Sequence, residues 1–469
     1  MSMETNIVLR KVKFPRIGHP EEPRPEIPAS VFAGRLRKAR KRMAERELDA
    51  LVVYGDREHF ANLAYLTNYD PRFEESLLII FPSGKPILFV GNEGWGYSNI
   101  ARLDIERRLC QTLSLQGQPR EKVQQFHLML KETGLRKCRR VGAAGWKYFS
   151  EDEVEGGAKV LDLPEYMATS LRRAVSARAV ITNETAIFTD AEKGLRNINE
   201  PEQLAYFEWV ATNNSENLLQ GIRALKPGMT EFEVFEKMPS NGTPFSCGPA
   251  IAAGENLRRF FMSSATNRRV RLGDPMLIGY SYQGACTCRL GYVAHGPRDL
   301  PKDASDYFEE AVLPYFVGLK AWYETFCIGA TGDDLHHAVI DRMEPLGFTF
   351  NLNIGHQTAM DEWTNSPVAP GSMQKVHSGM YWQVDFYPVL PTGYPGTYAE
   401  DGIAVADASL QKTLAARYPK MWKRIQARRQ FMVKTLGYRL SHEILPFSNI
   451  CGAVIPYLLS PDLCPVAVR

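Results

Sequence analysis

Cys286 and Cys288 flank a single threonine. In a strand that spacing turns both thiols to one face of the sheet. Such thiols can serve as nucleophile, as metal ligand or as small buried filler. A disulfide between them would be strained and is not expected. The remaining cysteines of the eight in the chain, Cys110, Cys138, Cys247, Cys327, Cys451 and Cys464, are scattered, and no CxxC pair occurs. That argues against a zinc ribbon or a thioredoxin-type motif and reads as buried thiols in a reducing cytoplasm. No GxGxxG phosphate loop is present. With 56 basic against 53 acidic residues the net charge is only +3, so charge gives no support to nucleic-acid binding.

The elements that must carry these residues can be read from periodicity. The length of 469 residues predicts about two or three domains. No apolar run is long enough to cross a bilayer, and Met1–Arg16, lacking an apolar signal core, reads as an ordinary start to a soluble chain. A proline-rich lead-in at 20–29 precedes a helix over 31–47 with a solvated Arg/Lys face. A buried strand over Leu48–Tyr54, a hairpin of Leu77–Phe81 and Ile87–Val90, a helix over 121–137 and a strand over Val141–Ala144 complete an α/β domain. Asn199 is expected to cap a long helix in a capping box with Glu202, and Thr230 to cap the next. Strands follow at 245–253, 276–283, 289–294, 380–388 and 398–406, interrupted by helices at 304–328 and 332–346. Helices and antiparallel strands in separate runs indicate an α+β class. The expected division is 1–190, 191–440 and an apolar tail at 441–469. Prolines forbid a helix in that tail, so it should wrap across the body.

Several short motifs, in order, resemble the creatinase/aminopeptidase P/prolidase superfamily (peptidase M24-like). These are Asn199–Glu208, Ala224–Glu231, Arg271-Leu272-Gly273-Asp274, Ile354-Gly355-His356, Ser378-Gly379-Met380 with Asp385, and Tyr398-Ala399-Glu400-Asp401. Asp49–Val53, Tyr65-Leu66-Thr67 and Ser76–Pro82 are creatinase-like too. The resemblance implies a pita-bread C-terminal domain behind a smaller N-terminal one.

It also implies a degenerate site. The metallopeptidases hold two ions with two Asp, one His and two Glu. Here the first Asp position falls on Leu277 and the second, eleven residues on, falls on Cys288. The His is kept as His356, the first Glu is shortened to Asp385, and the second is kept as Glu400. An apolar side chain cannot ligate, so no metal pair and no cofactor is expected. Creatinase works without metal, but its proton-shuttling His falls on Met262. The candidate catalytic groups are therefore His356, Asp385 and Glu400, with His356 expected to exchange protons near pH 7 without a large pKa shift. Asp361-Glu362 lies near the family's second His–Glu pair, offset by two. Expected walls and substrate contacts are Arg258, Arg259, Phe260, Phe261, Met262, Tyr280, Cys288, Trp363 and Trp382. Arg72 and Phe73 are expected to complete the site of a partner subunit.

The function this implies is a metal-independent, creatinase-like hydrolase cleaving a C–N or similar bond of a small, carboxylate-bearing molecule. It would be a cytoplasmic homodimer with neither nucleic-acid nor membrane partners. A lyase or isomerase using the same groups, a binding protein on a dead peptidase fold, and an enzyme with an altered mononuclear metal site are the alternatives.

Overall fold

A computed structural model of the chain describes residues 6–468, so the first five residues of the Met1–Arg16 stretch lie outside it. Two compact units emerge: Ile27–Asn197, and Ile198–Arg469 together with the N-terminal segment through Glu26. The expected boundaries at 190 and 440 therefore move. The lead-in belongs with the second unit because strand Asn6–Lys11 pairs antiparallel with Leu463–Val468, and the tail is likewise part of that unit.

Strict alternation organises the smaller unit. Its six-stranded sheet runs in the order Glu106–Leu109, Ile87–Val90, Ser76–Ile80, Ala50–Gly55, Arg140–Ala144, Val180–Asn183. Leu51, Val53, Leu78 and Ile80 pack on Phe32, Leu36 and Met43 of helix Ala29–Glu45. Val52, Tyr54, Leu77 and Ile79 pack on Phe126, Leu130, Met167 and Leu171. With both faces covered, the strands read as unbroken apolar runs. The helix expected over 121–137 shrinks to Phe126–Glu132, because Gly134 takes a φ of 106° and breaks it from the following turn. The Arg/Lys face of Ala29–Glu45 is not wholly solvated. Arg35 is buried, its guanidinium 4.4 Å from the Tyr65 ring centroid.

The larger unit is built on an antiparallel sheet in the order His356–Gln357, Tyr381–Val384, Tyr398–Val405, Ala285–Tyr292, Pro275–Tyr282, Ala250–Ala253, with Ile444–Pro446 also pairing to Tyr398–Val405. Helix Pro201–Ala224 packs on the hairpin of Pro275–Tyr282 and Ala285–Tyr292. Its cap differs from expectation. Glu200 is the N-cap and its side chain makes no capping bond, and Asn199 Nδ2 instead donates to the Gly379 carbonyl at 3.0 Å. Thr230 does form its capping box, with Glu233. The strand expected at 245–253 is confined to Ala250–Ala253, and that at 380–388 to Tyr381–Val384. No helix among the described residues is long and apolar enough to cross a membrane.

Candidate active site

The hairpin register decides which side chains reach the site. Leu277, Cys286, Cys288, Leu290 and Tyr398 form one apolar cluster with Ala250, Ala252 and Leu257. Cys288 lies directly opposite Gly279 on one side and Glu400 on the other. Arg289 points the other way. It is fully buried, its Nη2 donates to both Asp401 carboxylate oxygens at 2.8 and 3.0 Å, and its Nη1 donates to the carbonyls of Cys288 and Glu400. One guanidinium thus clamps both strands directly behind their site residues.

His356 enters from the neighbouring edge. Gly355, at a φ of 89°, donates its N–H to the Asp385 carbonyl at 2.6 Å, and the indole of Trp322 donates to the Ile354 carbonyl. These bonds place His356 Nε2 3.6 Å from Asp385 Oδ2. The chain then loops back, Gln357 and Thr364 bonding across the loop's neck, and brings Glu362 Oε1 to 3.3 Å from the same Nε2. That contact is an ion pair by distance but is not aligned as a hydrogen bond. Both atoms are buried with no hydrogen-bond partner among the described residues. Trp363 stacks on the imidazole at 4.1 Å and 17°.

A phenol joins the other two carboxyls. Tyr398 Oη lies 2.6 Å from Asp385 Oδ1 and 2.8 Å from Glu400 Oε2. A phenol has one proton to donate, so one of these carboxyls must itself carry a proton to complete the second bond. Glu400 is the one. Burial, and then the acidic groups that face it, Cys288, Asp385 and Glu362, push it well above the ordinary carboxyl range. His356 moves too, contrary to expectation. Burial disfavours the imidazolium, but Glu362 and Asp385 outweigh it and raise the pKa to about 10. The site therefore sets an imidazolium between Glu362 and Asp385, and favours the neutral acid form of Glu400.

Of the remaining expected residues, Cys288 and Trp363 are brought to this cluster, and Phe261 packs beside it on Tyr387 with ring centroids 4.4 Å apart. Arg258, Arg259, Phe260 and Met262 lie on an exposed stretch. Tyr280 faces the opposite side of its strand, packed on Phe235, Phe245 and Tyr282. Trp382 is likewise turned into the main core against Phe326. Arg72 and Phe73 belong to the smaller unit, where they line a concavity of about 290 Å³ with Tyr69, Glu74 and Tyr97. Cys286 shares the face of Cys288, as its spacing predicts. Tyr398 is a site group that was not expected; it lies two residues before Glu400 on the same strand, and that spacing was the available signal.

The paired-metal site of the metallopeptidases does not fit these residues. Leu277, which the sequence resemblance sets at the first aspartate position, is packed among alanines and Leu290 and offers no ligand atom.

A family model, the Creatinase/Prolidase N-terminal domain, matches residues 35–97. No curated protein sequence matches the chain. Among solved structures, the prolidase of Pyrococcus horikoshii OT3 superposes with a TM-score of 0.60 at 16% identity, covering 80% of this chain and 95% of that one. The Xaa-Pro dipeptidase of Bacillus anthracis gives 0.59 at 13%, covering 81% and 96%. The X-Pro aminopeptidase of Thermotoga maritima gives 0.58 at 13%, covering 79% and 95%. With its creatinase-type N-terminal domain and prolidase-like second unit, the chain has the α+β pita-bread fold of the creatinase/prolidase superfamily.

Proposed function

We propose that the chain is a hydrolase that cleaves a C–N bond of a small, carboxylate-bearing molecule by acid–base catalysis, without the metal pair of the prolidases. The observation that carries this reading is the series Glu362, His356, Asp385, Tyr398 and Glu400, each within 2.6 to 3.6 Å of the next, joined by ion-pair contacts at His356 and hydrogen bonds at Tyr398. A carboxylate at one end and a carboxylic acid at the other are the two groups such a hydrolysis needs. Glu362 takes a proton from water as the oxygen attacks carbon. The C–N bond breaks, and the departing nitrogen takes the proton of Glu400. His356 then passes its Nε2 proton to Asp385, the freed nitrogen takes the proton on Glu362, and Tyr398 gives its own proton to Glu400 while taking that of Asp385, which resets the site. His356 is a conduit here and supplies fixed positive charge, rather than acting as the base.

The fold is shared with peptidases that act on C–N bonds, which supports the bond class. Arg258 and Arg259 support the carboxylate. They lie on helix Glu255–Phe260, whose Leu257 packs in the same cluster as Cys288 and Tyr398.

The test is turnover of Xaa-Pro dipeptides, N-acyl amino acids and guanidino acids by the full chain after exhaustive chelation. Turnover of one class should survive chelation and fall by about 10²- to 10⁴-fold in Glu400→Gln. Activity abolished by the chelator and restored by manganese or cobalt would overturn the reading.

A further inference from the structure

The two thiols and Glu400 have a geometry that the proposed hydrolysis does not use. Cys286 and Cys288 project from one face of strand Ala285–Tyr292, and their sulfurs are 3.7 Å apart. Cys286 Sγ is 3.5 Å from Glu400 Oε2. All three residues are at least nine-tenths buried. A tetrahedral zinc ion with Zn–S of about 2.3 Å and Zn–O of about 2.1 Å has edges of about 3.8 Å between sulfurs and about 3.6 Å between sulfur and oxygen. Those two distances match the corresponding edges, and the three donor atoms all lie within 4.8 Å of one another.

A second observation points to the same place. Glu400 also belongs to a second group of donor atoms, with His356 and Glu362, that lie within 4.8 Å of one another. In that group His356 Nε2 and Glu362 Oε1 are buried and face each other at 3.3 Å as an ion pair with no aligned hydrogen bond among the described residues. Buried polar atoms without an aligned hydrogen bond are rare in folded proteins, and a water or anion beside this pair would supply one.

We propose that the chain binds one thiophilic divalent ion, of which zinc is the probe, through Cys286, Cys288 and Glu400. The fourth position is left to a water or a small anion beside His356 and Glu362. Two thiolates select zinc over the hard ions that an all-oxygen and imidazole pair site takes, and Leu277 excludes a second ion. Binding displaces the protons of both thiols, and any proton on Glu400, into solvent. With Glu400 spent as a ligand, zinc should inhibit the proposed hydrolysis. Only that last consequence rests on the hydrolase reading, and the binding stands apart from it.

The experiment uses the full chain, freed of metal by chelator and dialysis, titrated with zinc against a chromophoric chelator and separately with cobalt(II). Expected are about one ion per chain and a near-ultraviolet thiolate-to-cobalt charge-transfer band with tetrahedral visible bands. Cys286→Ser and Cys288→Ser should each weaken zinc binding at least about 100-fold and abolish that band. Glu400→Gln, which keeps both thiols, should retain the band with weaker binding, so loss of the fold in a serine variant would not mask the result. Two ions per chain, or cobalt bound without a thiolate band, would overturn the site. Zinc that binds at the thiols and accelerates turnover would overturn the inhibition, and the metal-free reading with it, while leaving the site in place.

Discussion

Tyr398 has one proton and two carboxyls to serve, and its replacement is the sharpest probe of the proton line. Tyr398→Phe leaves Asp385 and Glu400 without their shared partner, so it should cost about 1–3 kcal/mol of stability, read from a urea melt. If the line resets the site, kcat should fall by about tenfold or more with KM nearly unchanged. A purely structural role would move the melt and leave kcat alone. The same residue shows where the site was legible in sequence. His356, Asp385 and Glu400 stand in short motifs that order and spacing locate. The bonding of Tyr398 to both carboxyls and the pairing of Glu362 with His356 depend on strand register and a loop closure that no local motif encodes. Tyr280 and Trp382 were expected at the site and are turned away from it. Strands Pro275–Tyr282 and Tyr381–Val384 are buried on both faces, so no polar–apolar contrast marks which side looks inward.

At the scale of elements, the hairpin carrying the thiols is pinned from both sides. Gly279 sits against Cys288 so closely that a Cβ there would lie 2.6 Å from Sγ and 3.5 Å from the Ala250 Cβ. Gly279→Ala should therefore destabilise the protein by about 1–3 kcal/mol, measured by chemical denaturation, because the buried thiol has nowhere to retreat. It should also weaken zinc binding by displacing one ligand. Behind the same strand, Asp401→Asn breaks the buried pair with Arg289 and should cost about 3–5 kcal/mol in the same assay. Long, strongly periodic elements such as helix Pro201–Ala224 and strand Tyr398–Val405 were legible in sequence. Short strands were overestimated, since only tertiary contacts decide where a strand stops pairing.

At the scale of the whole molecule, the larger unit is tied together by charge. Glu208, fully buried, accepts bonds from Arg424 and Arg428 of helix Pro419–Gln430, and Arg424 also reaches Glu22. Burial alone would raise the Glu208 pKa, but the two guanidiniums prevail and lower it. A carboxyl depressed on folding stabilises above its unfolded pKa of about 4.3, and that contribution is lost as pH falls through the lower folded value. The melting temperature should therefore drop on acidification below about pH 4. Glu208→Gln should flatten that limb while costing about 3–5 kcal/mol at pH 7. The terminal strands close the same unit by another route. Their register sets Asn6 against Val468 and Lys11 against Leu463, so force applied through residues 6 and 468 loads the rungs one after another instead of all together. Under tension the ribbon would open like a zipper at low force, and the sheet carrying the site would feel the load only after the last rung had parted.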